Sequence, residues 1–153
     1  MTWLYDWVTN PFFYVPILTW LFAQLLKAVI NLCVTKQWKF ERLFGDGGMP
    51  SGHAATVTSL ATTCALRLGT DSFGFAISVV LAMIICHDAM GVRQEAGKHA
   101  YLLSEIIKSF DELVKEKIPE VKLKKFIGHT FLQVLAGSIV GISSAFIFYA
   151  IFA

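Results

Sequence analysis

Residues 11–34 read PFFYVPILTWLFAQLLKAVINLCV. Lys27 is the single charged side chain in this stretch. As a helix rising about 1.5 Å per residue, it is long enough to cross the roughly 30 Å hydrocarbon core of a bilayer. Three further stretches have the same character: Ser51–Leu68, which is short and rich in Ala and Thr, then Phe73–Val92 and Phe126–Phe152. Backbone groups inside lipid must be satisfied within their own segment, so each stretch should be a helix. Four buried helices of a soluble bundle fit less well, because the first and last stretches show almost no polar stripe. The composition agrees: 56% hydrophobic and 16% charged, against about 25% charged in a soluble domain. The expected fold is all-α, a polytopic membrane four-helix bundle forming one domain over residues 1–153.

Orientation follows from the cations. Apart from Lys27 and Arg67, every Lys and Arg falls in the connections 35–50 and 93–125, which lie on the same side of the bundle. The positive-inside rule places both connections in the cytoplasm and both termini outside the cytoplasmic membrane. Trp3, Tyr5 and Trp7 suit an outer interfacial belt, and Trp38 an inner one. The start, MTWLYDWVTN, carries no Lys or Arg and does not resemble a cleavable signal peptide. Within the second connection, Leu103, Ile106, Phe110 and Leu113 recur at helical spacing between charged residues. This predicts an amphipathic cytoplasmic helix over about 97–118, stopped by Pro119, that lies on the membrane surface or packs on a second copy of the chain.

Several function classes are disfavoured. A net charge of +2 without a basic, aromatic-interleaved patch gives no reason to expect nucleic-acid binding. Cys33, Cys64 and Cys86 each stand alone in an apolar stretch and read as reduced core residues. Neither a dinucleotide glycine fingerprint nor a Walker loop occurs, and no cofactor is expected. A cation site built from Asp46, Asp88, Glu95 and the histidines is a further reading; no bound metal is expected.

The chemistry concentrates where residues 47–56 read GGMPSGHAAT. Ser51 is a good N-cap, Gly47 and Gly48 permit a tight turn, and a helix starting at Gly52 turns its free N–H groups toward an anion. His53 stands within reach of whatever binds. A plain capped helix with an interfacial histidine explains this motif alone equally well. The other segments add to it at the same membrane face. The third ends HDAMGVR, which brings Asp88 and the guanidinium fork of Arg93. The fourth opens GHTFLQV, which brings His129 with Gln133 one turn on. Lys27, with Gln24 a turn before it, either snorkels to the interface, the commoner behaviour, or pairs inside the bundle. Two histidines supply a nucleophile and a proton donor for phosphoryl transfer, and cations and amides stabilise the transferring group.

These residues resemble a known pattern. PSGH at 50–53 is similar to a motif of the type-2 phosphatidic acid phosphatase and vanadium haloperoxidase superfamily. The fuller set, Gln24–Lys27, GGMPSGH, DAMGVR and GHTFLQV, resembles its divergent bacterial and plant branch. The resemblance runs from residue 24 to about 141. It implies that Ser51, Gly52 and Arg93 bind phosphate and that His53 is the general acid. It also implies a later histidine as nucleophile. The superfamily's K-x6-R-P motif is missing: Lys36 and Arg42 are one residue too close, and Leu43 replaces the proline. Lys27 is the substitute in the preceding helix. For the nucleophile, His99 keeps the family spacing from Arg93 but has Leu103 where an orienting Asp belongs. His129 opens the next membrane helix with Gln133 in the orienting place, and is preferred. Asp88 supplies charge across helices. The expected activity is metal-independent hydrolysis of a phosphorylated membrane lipid; the alternative is binding or translocation of an anionic headgroup without bond cleavage.

Overall fold

The computed structural model describes residues 2–36, 48–114 and 128–152. Among them are six helices: α1 (Thr2–Val8), α2 (Pro11–Thr35), α3 (Gly52–Leu68), α4 (Phe73–Met90), α5 (Val92–Val114) and α6 (Phe131–Phe152). The described residues contain no strand, and the chain is an all-α membrane protein. α3 is the central element. It packs against α2, α4 and α6, most extensively against α6. α5 touches only α4 among the described elements.

The helix ends follow from local chemistry. Asn10 caps α2 by accepting a hydrogen bond from the Phe12 N–H, with Pro11 in the first helical turn, where its missing N–H costs nothing. Ser72 caps α4 through Phe75 N–H at 3.1 Å. α3 ends at Gly69, whose positive φ of 87° suits a residue without a Cβ. Gly91 breaks the third apolar segment with φ −92° and ψ −83°, so α4 stops at Met90 rather than near residue 92. The amphipathic helix accordingly begins at Val92, earlier than its apolar period suggests, and its described part reaches Val114. Leu103, Ile106 and Phe110 on it are all more than half exposed. The proposed stop at Pro119, and Trp38, lie outside the described residues.

What is buried and what is exposed run opposite to a soluble protein. Leu21, Phe22 and Leu25 of α2, Val80, Met83 and Ile84 of α4, and Ile139, Phe146 and Ile147 of α6 all face outward. The largest fully enclosed side chains are instead His129, Thr19, Ser51 and Ser59. An outer surface of large apolar groups around a core of small and polar ones is stable where the solvent is hydrocarbon, since association then rests on close packing and hydrogen bonds. α2, α6 and the helix beginning at Phe73 are long and apolar enough to cross a membrane. α3, a helix of 17 residues rich in Ala, Thr and Ser, falls short of that measure in length and apolarity. Its hydroxyls bond carbonyls within the helix, as in Thr58 to Ala54, Thr62 to Thr58 and Thr63 to Ser59. Each hydroxyl is thus satisfied locally and can be enclosed by protein. Of the cysteines, Cys64 is buried, but Cys33 is exposed on α2 and is not a core residue. It faces outward with the apolar side chains.

The α3–α6 seam allows no extra atoms. A Cβ on Gly137 would run into the Ser51 carbonyl, and one on Gly141 into Thr58 Oγ1 and the Ala55 carbonyl. At the far end Arg67, on the last turn of α3, donates to the Phe152 carbonyl at 3.1 Å and lies over the Tyr149 ring at 5.7 Å. A cation there suits the carbonyl ends of both helices. Gly141→Ala is expected to lower stability in detergent by about 1–3 kcal/mol, the usual cost of overpacking. Ser143→Ala, on the exposed face of the same helix, should change it by less than about 0.5 kcal/mol. Thermal unfolding of the two purified variants checks both.

Candidate functional site

Three helix ends meet at one end of the bundle: the start of α3, the finish of α4 and the start of α6. Two main-chain bonds clasp them. The Ser51 N–H donates to the Gln133 carbonyl at 2.9 Å, and the His129 N–H donates to the Ala89 carbonyl at 2.9 Å. The second bond satisfies a carbonyl in the last turn of α4, which has no partner within its own helix. Ser51 is fully buried, and its Oγ lies 3.4 Å from the Ala54 N–H as the N-cap acceptor.

His129 is not inside α6. Gly128, with φ 109°, turns the chain immediately before it, and the helix begins at Phe131 rather than near residue 126. Thr130 and Gln133 form a reciprocal cap. The Gln133 N–H donates to the Thr130 hydroxyl at 3.4 Å, and the Thr130 N–H donates to Gln133 Oε1 at 3.2 Å. This is the T-x-x-Q capping box, a signal present in the sequence that periodicity alone passes over. Gln133 Oε1 also lies 3.2 Å from His129 Nδ1. An amide oxygen only accepts, so this bond puts the proton on Nδ1 and the lone pair on Nε2. The His129 ring is 2% exposed.

His53, in the first turn of α3, faces His129 with ring centroids 5.9 Å apart and planes inclined by 61°. Lys27 joins them from α2. It is 4% exposed, so it does not snorkel outward. Its aliphatic stem packs on Gly48, where a Cβ would come within 3.3 Å of Lys27 Cγ. Gly52 is equally confined: a Cβ there would stand 3.3 Å from Trp20 Cδ1 and 3.8 Å from Gln24 Nε2. The absence of a side chain at Gly52 is what brings α2 against the α3 N-terminus. Beside the His53 ring a cavity of about 370 Å³ opens between α2, α3 and α4, lined by Ile17, Trp20, His53, Thr56, Val57 and Ile85.

Lys27, Ser51, Gly52, His53 and His129 are therefore brought together. Asp88 is half-buried in the last turn of α4, next to the Ala89 carbonyl that holds His129. Arg93 lies in the first turn of α5, and its side chain is outside the described residues, as is Asp46. His99 is exposed on α5. Glu95, which stands one turn before it, bonds Lys98 at 2.6 Å, and that bond holds the Glu95 carboxyl below the usual range. No three His, Cys, Asp or Glu among the described residues form a metal-binding group. Trp20 enters the site unannounced by residue type, because an inward-facing Trp looks like ordinary membrane packing.

Residues 8–144 match the divergent PAP2 family. The chain belongs to this family. It is also 37% identical over 131 residues to the uncharacterized membrane protein YuiD of Bacillus subtilis (strain 168), covering 80% of this chain and 83% of that protein. No solved structure matches significantly.

Gln133 thus serves two partners at once. Gln133→Met should cost about 1 kcal/mol of stability through the lost cap. It should also release the His129 tautomer, seen as a change in the imidazole ¹⁵N shifts of histidine-labelled protein. Unchanged ¹⁵N shifts would mean that Gln133 does not orient the ring.

Proposed function

We propose that the protein is a metal-independent phosphatase that hydrolyses a phosphorylated lipid at the cytoplasmic face of the membrane. The observation that carries the reading is the pair of rings, His53 and His129, 5.9 Å apart beside a helix N-terminus. His129 Nε2, holding the lone pair, attacks phosphorus. The P–O ester bond breaks, and His53 gives its proton to the departing lipid alkoxide. Water then attacks the phosphohistidine and gives a proton back to His53, the P–N bond breaks, and inorganic phosphate leaves with both histidines restored. The N–H groups of the first α3 turn, Lys27 and the Arg93 guanidinium neutralise the phosphoryl oxygens. Asp88 contributes negative charge that favours a cationic His129 in the intermediate.

One observation favours a non-catalytic reading, in which the same pocket holds or moves an anionic headgroup intact. The acceptor facing His129 Nδ1 is a neutral amide that is already engaged in capping α6. An amide stabilises an imidazolium less than a carboxylate does. Phosphate release from lipid phosphates in detergent, with a chelator present, separates the two. The phosphatase reading expects turnover that falls by about 10²–10⁴-fold in His53→Ala and a phosphohistidine trapped by acid quench in wild type but not in His129→Ala. Binding of lipid phosphate that requires Arg93, without any release, selects the headgroup reading.

The cytoplasmic assignment rests on the concentration of Lys and Arg in the connections 35–50 and 93–125. Single cysteines introduced into the 35–50 connection should resist an impermeant thiol reagent in intact cells. They should react once the cells are opened. Labelling in intact cells would reverse the topology.

A further inference from the structure

α2 presents a graded series of side chains to the site. Ile17 and Trp20 line the cavity beside His53. Gln24 follows one turn on, about 6 Å along the axis. Lys27 follows after about 4.5 Å more, against Gly48. The order runs from apolar, through neutral polar, to cationic. A phosphorylated lipid lying along this face has its hydrocarbon beside Ile17 and its phosphate beside Lys27. Gln24 then faces the junction between the two.

Gln24 carries an unused acceptor. Its Oε1 is inaccessible to solvent and has no hydrogen-bond partner among the described residues. A buried amide oxygen left without a donor is costly, and native structures rarely keep one without a reason. The side chain is aimed at the ligand end of the helix, since its Nε2 lies 3.8 Å from where a Gly52 Cβ would stand. Phosphate oxygens that carry charge cannot satisfy Oε1, because they also only accept. The neighbouring donors are suited to those oxygens instead: the Lys27 ammonium and the N–H groups of the first α3 turn. Whatever completes Gln24 must bring a hydrogen.

We propose that Gln24 is a specificity residue whose Oε1 accepts a hydrogen bond from an O–H of the bound phosphomonoester, at or next to the phosphate. The inference rests on the reading of this pocket as a lipid-phosphate site and adds a selection within that class. Two hydroxyls meet the requirement. One is a free hydroxyl on the carbon next to the phosphoester linkage, as in a monoacylated glycerol phosphate. The other is the acid hydroxyl of the phosphate's own monoanion, which is populated below a second pKa of about 6. Lipids with a fully esterified or purely hydrocarbon linker offer only the second.

The test uses inert phosphonates, in which CH₂ replaces the ester oxygen, so that turnover does not intrude. One is the phosphonate of 1-acyl-glycerol 3-phosphate; the other is identical but lacks the free hydroxyl. Binding to the detergent-solubilised full chain is measured at pH 5 and pH 8. At pH 8 the hydroxylated ligand is expected to bind about tenfold more tightly, the usual order for one satisfied acceptor. Gln24→Leu should bring it to the level of the other. If the acid hydroxyl is the donor, the two ligands bind alike, both bind more tightly at pH 5, and Gln24→Leu removes that gain. Equal binding of both ligands at both pH values overturns the inference while leaving the lipid-phosphate site intact, and it needs no variant that might misfold. If neither ligand binds at either pH, the inference is overturned together with the reading beneath it.

Discussion

The arrangement depends on how closely α3 and α6 approach. Gly137 and Gly141 present no side chain to α3, and α3 answers with Ser51, Ala54, Ala55 and Ser59. Without a hydrophobic driving force between helices in lipid, this proximity supplies the dispersion contacts that hold them together. It also sets the register. At the end where α3 begins, the close approach lets the Ser51 N–H reach the Gln133 carbonyl. Once that bond forms, His53 on one helix and His129 ahead of the other have little freedom to separate.

The polar core is a consequence of the same constraint. Small residues that allow close packing in this chain are often Thr and Ser, and their hydroxyls are absorbed by carbonyls one turn back. The site is built differently. Its polar groups lie where helices end, and helix ends supply the donors and acceptors that a helix middle keeps for itself. The orphan carbonyl of Ala89 holds His129, and the capping box of α6 orients its ring. One glutamine therefore links the stability of the helix start to the tautomer of the buried histidine.

Much of this was legible in the residues. Length and apolarity marked the spans, and the motifs around Pro50–His53, Asp88–Arg93 and Gly128–Gln133 marked the end of the bundle that carries polar groups. Other features were hidden for physical reasons. Lys27 reads as a snorkelling residue because outward and inward faces of a uniformly apolar helix look alike; it is 4% exposed, with Gly48 packed against its stem. The end of α4 was displaced because a single Gly91 breaks a helix that hydropathy carries through. Gln24 gave no sign of an unfilled acceptor, since satisfaction depends on neighbours distant in sequence.

The sequence by itself determined the class of the molecule and its membership of the divergent PAP2 family, because apolar run length and motif order are properties of the chain alone. It also determined the local caps, since Asn10, Ser51, Ser72 and the Thr130–Gln133 pair act within one turn. Only the tertiary structure decided that α3 lies at the centre, that His53 meets His129, and that Lys27 and Gln24 turn inward. Those outcomes depend on which helix faces interlock. In a membrane protein that choice is made by the fit of small residues across a seam, not by hydrophobicity, which is nearly the same on every face.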